Sequence, residues 1–72
     1  MINEELMKRF ENQEEVYFEN QNEELVFRAN PKQGYQAKRK GGEPYYVQIG
    51  NKALAEAISE GKLISKVEFE NY

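Results

Sequence analysis

Glutamate is the only acidic residue in this 72-residue chain, occurring 13 times, and histidine, cysteine, aspartate, threonine and tryptophan are all absent. What remains for proton transfer or nucleophilic attack is glutamate, lysine, tyrosine and two serines, Ser59 and Ser65. Without imidazole or thiol there is no base poised near neutral pH, no thiolate nucleophile and no soft metal ligand. This argues against zinc, iron–sulfur, haem and triad chemistry. Ser65 and Lys66 are adjacent, and adjacent residues of an extended strand point to opposite faces, so they do not make a nucleophile–base pair. Paired glutamates suit glycoside hydrolysis, but that reaction needs a cleft, which a chain this short rarely builds. Gly41-Gly42 beside Lys40 lacks the spacing of a phosphate loop, in which the lysine follows the last glycine at a helix start. Glu14-Glu15 and Glu23-Glu24 do not reproduce the alternating oxygen ligands of a calcium loop. The expectation is a protein that is not an enzyme and carries no metal or cofactor.

Binding is the better use of these residues. The net charge of −3 conceals a segregated distribution: residues 1–24 sum to −6, residues 25–40 to +5 and residues 41–72 to −2. Eight glutamates fall in the first third, at positions 4, 5, 11, 14, 15, 19, 23 and 24. An array of carboxylates can imitate a phosphate backbone and occupy the basic groove of a nucleic-acid-handling protein. Glu14, Glu15, Glu19, Glu23 and Glu24, with Tyr17, Tyr35, Tyr45 and Tyr46 as anchors, are the candidate contacts to a protein partner, because tyrosine is enriched at binding hot spots. The alternative set is Lys32, Tyr35, Lys38, Arg39 and Lys40, in which cations would neutralise phosphates and rings would stack on the bases of a single strand. Against it, Lys38 and Lys40 share one side of a strand while Arg39 lies on the other, and an acidic chain repels polyanions.

Periodicity supplies the elements that must position these groups. Leu6, Met7 and Phe10, with Ile2 before them, recur at helical spacing behind Asn3 as an N-cap. Acids lead and Lys8-Arg9 follow, the order the helix dipole favours. A short amphipathic helix over 3–12, stopped near Asn12-Gln13, is expected. From Glu15 the period becomes two, with Val16 and Phe18 against Tyr17 and Glu19. A second run, Leu25, Phe27 and Ala29 against Val26 and Arg28, completes a hairpin. Asn30-Pro31-Lys32-Gln33-Gly34 is a turn, residues 35–40 a third strand, Gly41-Gly42 a tight turn, and Pro44 to Ile49 a fourth strand. Asn51 caps a helix over 52–60 that ends at Gly61, where a left-handed residue is expected. Leu63, Ser65, Val67 and Phe69 alternate with Ile64, Lys66, Glu68 and Glu70 as a fifth strand.

The order α-β-β-β-β-α-β implies one α+β domain over 1–72, a mostly antiparallel sheet with both helices on one face. Val16, Phe18, Leu25, Phe27, Val47, Ile49, Leu54, Ile58, Val67 and Phe69 would form the core. Tyr17, Val26, Tyr46 and Ile64 would lie on the open face and form a two-fold surface for a homodimer. No uninterrupted apolar run exceeds three residues, as at Tyr45-Tyr46-Val47, so neither a signal peptide nor a membrane span is expected. The lack of cysteine fits a reducing cytoplasm. The preference for Glu, Lys, Asn, Tyr, Phe and Ile, which AT-rich codons specify, suggests a low-GC bacterium or one of its phages. The functional expectation is a phage- or prophage-type regulator or inhibitor that contacts a larger bacterial protein. Single-strand nucleic-acid binding by residues 32–46 is the alternative, and small-ligand binding at a dimer interface is a third.

Overall fold

The computed structural model describes residues 4–72. Its elements are α1 (Glu4–Glu11), β1 (Val16–Asn20), β2 (Leu25–Asn30), β3 (Gly34–Arg39), β4 (Tyr45–Val47), α2 (Lys52–Glu60), β5 (Lys62–Leu63) and α3 (Lys66–Glu70). The five strands form one antiparallel sheet in the order β4-β3-β2-β1-β5. The α+β architecture and the placing of α1 and α2 on one face are as the alternating pattern requires. The expected N-cap Asn3 and the apolar Ile2 lie outside the described residues.

Local chemistry explains most boundaries. Helix α1 ends in a Schellman arrangement: the Glu14 N–H donates to Arg9 O at 3.1 Å and the Gln13 N–H to Phe10 O at 2.9 Å. Gln13 occupies the left-handed position, at φ 58°. Asn30 Oδ1 accepts from the Lys32 and Gln33 N–H groups, and Gly34 takes φ 94° to finish the β2–β3 turn. Gly41, at φ 74°, supplies the positive dihedral of the β3–β4 turn. Asn51 caps α2 by accepting from the Leu54 N–H at 3.1 Å.

The main core lies between the sheet and the helix pair α1/α2. Leu6, Val16, Phe18, Leu25, Phe27, Ala29, Ala37, Leu54 and Ala57 are buried together, with Met7, Phe10, Val47 and Ile58 packed at the margin. Phe18 and Phe27 face each other across β1 and β2 as stacked rings 5.5 Å apart. Asn20 shares this face at the end of β1. Its Nδ2 donates to Ala53 O at 3.0 Å and its Oδ1 accepts from the Glu23 N–H at 3.2 Å, so one buried amide ties α2 to the β1–β2 turn.

The segment after β5 corrects the sequence reading. β5 is confined to Lys62 and Leu63, with the Ile64 N–H still donating to Tyr17 O of β1 at 2.9 Å, and the rest of the expected strand over 63–70 gives way to helix α3. Ser65 and Glu68 form a capping box: the Glu68 N–H donates to Ser65 Oγ at 3.1 Å and the Ser65 N–H to Glu68 Oε1 at 3.0 Å. The helix drives Phe69 onto Tyr17 and Val26, with Ile64 and Tyr72 alongside, forming a second apolar cluster on the opposite face of the sheet. Phe69 is therefore buried on the other face from the one expected, and Val67 turns outward. The face read as open for dimerisation is covered at Tyr17 and Val26 by the chain itself. Ile49, expected in the core, is exposed because β4 stops at Val47 and residues 48–51 turn, with the Asn51 N–H on Gln48 O.

Gly61 is required for a different reason from the one expected. Its backbone is extended, at φ −71° and ψ 167°, not left-handed. A Cβ there would stand 2.5 Å from Glu19 O and nearer still to Ala57 O, so the absence of a side chain lets α2 turn directly into β5 against β1. Gly61→Ala is expected to cost about 1–3 kcal/mol in urea unfolding, whereas Gly50→Ala, with nothing within 4 Å, should be neutral or up to about 1 kcal/mol stabilising. Equal effects would contradict the close approach. In the same assay Phe69→Ala should cost about 3–5 kcal/mol, Ser65→Ala about 1 kcal/mol and Val67→Ala less than about 0.5 kcal/mol. Comparable losses at Val67 and Phe69 would restore the strand.

Candidate functional site

Antiparallel pairing decides where the charged residues go. Val16 lies opposite Ala29 and Asn20 opposite Leu25, while Leu25 lies opposite Arg39 and Asn30 opposite Gly34. Glu14 and Glu15 thus share one end of the sheet with Lys32, and Glu23 and Glu24 share the other with Arg39 and Lys40. Roughly 17 Å of strand separates the two ends. The charge that is segregated along the sequence is mixed in space, and the five candidate glutamates do not make one array.

Several of them are engaged in holding turns. Glu15 accepts from the Tyr17 hydroxyl through Oε1 and from Asn30 Nδ2 at 2.7 Å through Oε2, which ties the start of β1 to the β2–β3 turn. The Tyr17 hydroxyl bond, followed by the Asn30 bond and the charges of Arg28 and Lys66, holds the Glu15 carboxyl below its ordinary pKa against a small desolvation penalty. Burial of Tyr17, followed by its bond to Glu15, pushes the phenol up to about 12. Glu19 accepts from Gln21 Nε2 at 3.1 Å. Glu24 adopts φ 54° to close the β1–β2 turn.

The tyrosines divide into two classes. Tyr17 is 9% exposed and its ring lies 5.5 Å from that of Phe69. Tyr35 packs edge-on against Phe10 at 6.1 Å. Tyr45 and Tyr46 are 41% and 66% exposed. Of the alternative set, Lys32 stands at one end of the sheet, Arg39 and Lys40 are exposed at the other, and Lys38 is buried on the α3 face at 7% exposure. Tyr35 is turned into the opposite layer. The structure does not gather Lys32, Tyr35, Lys38, Arg39 and Lys40 into one surface.

What it does gather is an apolar stretch at the sheet edge. Four large hydrophobic residues are exposed among those described, and three of them, Tyr45, Tyr46 and Ile49 (72%), belong to β4 and its continuation. Among the described residues β4 pairs on one side only, with β3 through Ala37↔Tyr45, Gln36↔Tyr46 and Tyr35↔Val47. Residues 44–51 contain no charge in a chain that is 32% charged. Edge strands are commonly guarded by lysine, glutamate or bulges, and this one has Pro44 at its start and nothing charged along it. Tyr45 and Tyr46 are candidate contacts by residue type, and both are exposed. Ile49 is not among those candidates, because its apolar side chain reads as core until the end of the strand is known.

No family model, curated protein or solved structure matches the chain. Among the described residues no helix is long and apolar enough to cross a membrane, and no group of three or more acidic, histidine or cysteine side chains is placed to hold a metal ion.

The Glu15–Tyr17 pair has a readable pH signature. A carboxylate whose folded pKa is depressed stabilises the fold above its unfolded pKa, and this stabilisation is lost as pH falls through the folded value. Tyr17→Phe removes the larger cause of the depression. The Glu15 carboxyl titration, followed by side-chain carbonyl NMR, is expected to move up in this variant. An unmoved Glu15 would show that the hydroxyl does not hold it.

Proposed function

We propose that the chain is a small non-enzymatic interaction protein that binds a larger bacterial protein through the β4 edge, as a phage-type regulator or inhibitor would. The observation that carries this reading is the exposure of Tyr45, Tyr46 and Ile49 along one uncharged edge segment, with Tyr45 and Tyr46 on opposite faces of the strand. Fully burying an exposed isoleucine such as Ile49 gains roughly 1.5–3 kcal/mol, and several large apolar side chains left exposed on one segment mark a contact site. Tyrosine fits the role because it brings a large ring and a hydroxyl at low entropic cost. The unpaired side of β4 also offers main-chain donors and acceptors to an added strand, with alternate side chains reading the partner.

The glutamates act at longer range in this proposal. Glu23 and Glu24 stand beside Arg39 and Lys40, so a partner approaching that end meets both signs, which favours orientation over a simple polyanion mimic. Catalysis has no part in it, since the residues suited to acid–base or nucleophilic chemistry near neutral pH are missing from the sequence.

Affinity capture from a low-GC bacterial host tests the proposal. The wild-type chain is expected to retain a stoichiometric protein, and Tyr46→Ala with Ile49→Ala to weaken that complex by about 30-fold or more, the effect of losing one hot spot. Glu23→Lys with Glu24→Lys should change the association rate and leave the complex formed. Capture that survives the β4 double variant, or no stoichiometric partner, would overturn it. A light-scattering mass of two chains that falls to one in the β4 variant would replace the larger partner with a second copy.

A further inference from the structure

We infer that the groove between the β3–β4 turn and the end of α3 is a binding site for a single phosphate group, free or as a small monoester. This site lies on the α3 face of the sheet and is independent of the β4 reading. The groove has a volume of about 580 Å³ and is lined by Arg28 and Lys38 from the sheet, residues 41–44 from the turn, and residues 69–72 from α3 and its end. The Gly41 N–H donates to Tyr72 O at 2.6 Å and joins the two walls.

Arg28 and Lys38 are diagonal neighbours on this face, since Arg28 lies opposite Gln36, two residues from Lys38. Diagonal positions stand about 7–8 Å apart along the backbone, and both side chains line the groove. Lys38 is 7% exposed, yet among the described residues no fully buried side-chain polar atom lacks a partner. Its stem is therefore covered while its ammonium meets the solvent of the groove. The only ion pair among the described residues is Arg9–Glu5, so no carboxylate comes within 4.0 Å of either Arg28 or Lys38. An anion between the two cations is attracted by both.

Arg28 is already oriented for the task. Its Nη2 donates to Gln36 Oε1 and its guanidinium lies 5.7 Å from the Phe69 ring centroid. A guanidinium has five N–H donors in a fixed fork, so donors remain beyond the Gln36 bond. A fork beside an ammonium suits a phosphate dianion. Glu43 and Glu70 line the same groove. Their carboxylates oppose any anion here, at a cost that grows with each further phosphate, so a single group held by Arg28 and Lys38 is favoured over a nucleic-acid backbone.

Chemical-shift titration of the full chain with inorganic phosphate, and in parallel with adenosine monophosphate, tests this at ionic strength matched with sodium chloride. Saturable shifts are expected at the amides of Arg28, Lys38, Gly41, Gly42 and Tyr72. Lys38→Met, which keeps the apolar stem, should weaken binding about tenfold or more with no loss of thermal stability. Arg28→Gln is the second variant and should weaken it similarly. Tighter binding of the nucleotide assigns the site to monoesters, and equal or tighter binding of inorganic phosphate assigns it to the free ion. Shifts that do not saturate, that chloride reproduces, or that persist unchanged in both variants overturn the inference.

Discussion

Val16-Tyr17-Phe18 in β1 and Leu25-Val26-Phe27 in β2 place large apolar side chains on both faces of two adjacent strands. A sheet of this kind has to be covered twice, and the remaining elements are arranged around that requirement. On one side Leu6 of α1 and Leu54 and Ala57 of α2 close over Phe18 and Phe27. On the other a single short helix, α3, brings one large side chain, Phe69, onto Tyr17 and Val26. An isolated helix of five residues does not persist in water. α3 exists because it is capped at Ser65 and because Phe69 has an apolar surface to bury.

Covering β1 and β2 in this way leaves the sheet asymmetric from edge to edge. β5 is two residues long and runs straight out of α2 through Gly61, so that edge is short and lies next to a helix end. β4 is joined to the rest of the chain by the Gly41 turn on one side and residues 48–51 on the other. Its exposed side chains are apolar and uncharged. The covered centre and the bare edge are two results of one allocation of the few apolar residues available to a chain of this size. The groove beside α3 has the same origin, since the segment that shields Tyr17 and Val26 also forms the wall that faces Arg28 and Lys38.

The elements legible in the sequence are those whose signals are local. Asn51 caps the α2 amides three residues on, Gly34 and Gly41 satisfy turns that involve only their neighbours, and the alternation in β1, β2 and β3 is complete within each strand. The residues misread depend on contacts that are distant in sequence. Leu63-Ser65-Val67-Phe69 alternates as a strand does, but Ser65-Lys66-Val67-Glu68 is also a capping-box sequence, and burial of Phe69 on Tyr17, some fifty residues earlier, favours the helix. Gly61 carries no left-handed dihedral, and its need becomes visible only with Glu19 O beside it. Lys38 reads as a surface lysine, yet it lies on the face that carries Val26 and is buried. Ile49 reads as core until β4 is seen to stop at Val47. Of the candidate contacts, Tyr45 and Tyr46 are exposed, whereas strand register disperses the glutamates and the basic cluster.

Native-state amide hydrogen exchange tests the two-sided sheet with its open edge most directly, because it reads the protection of each strand separately. Amides of β1 and β2 are expected to exchange slowest in the chain, with Phe69 among the protected amides of the last segment. Amides of β4 and residues 48–51 should exchange orders of magnitude faster. Protection of β4 equal to that of β1 and β2 in the isolated chain, or rapid exchange throughout residues 66–70, would contradict it.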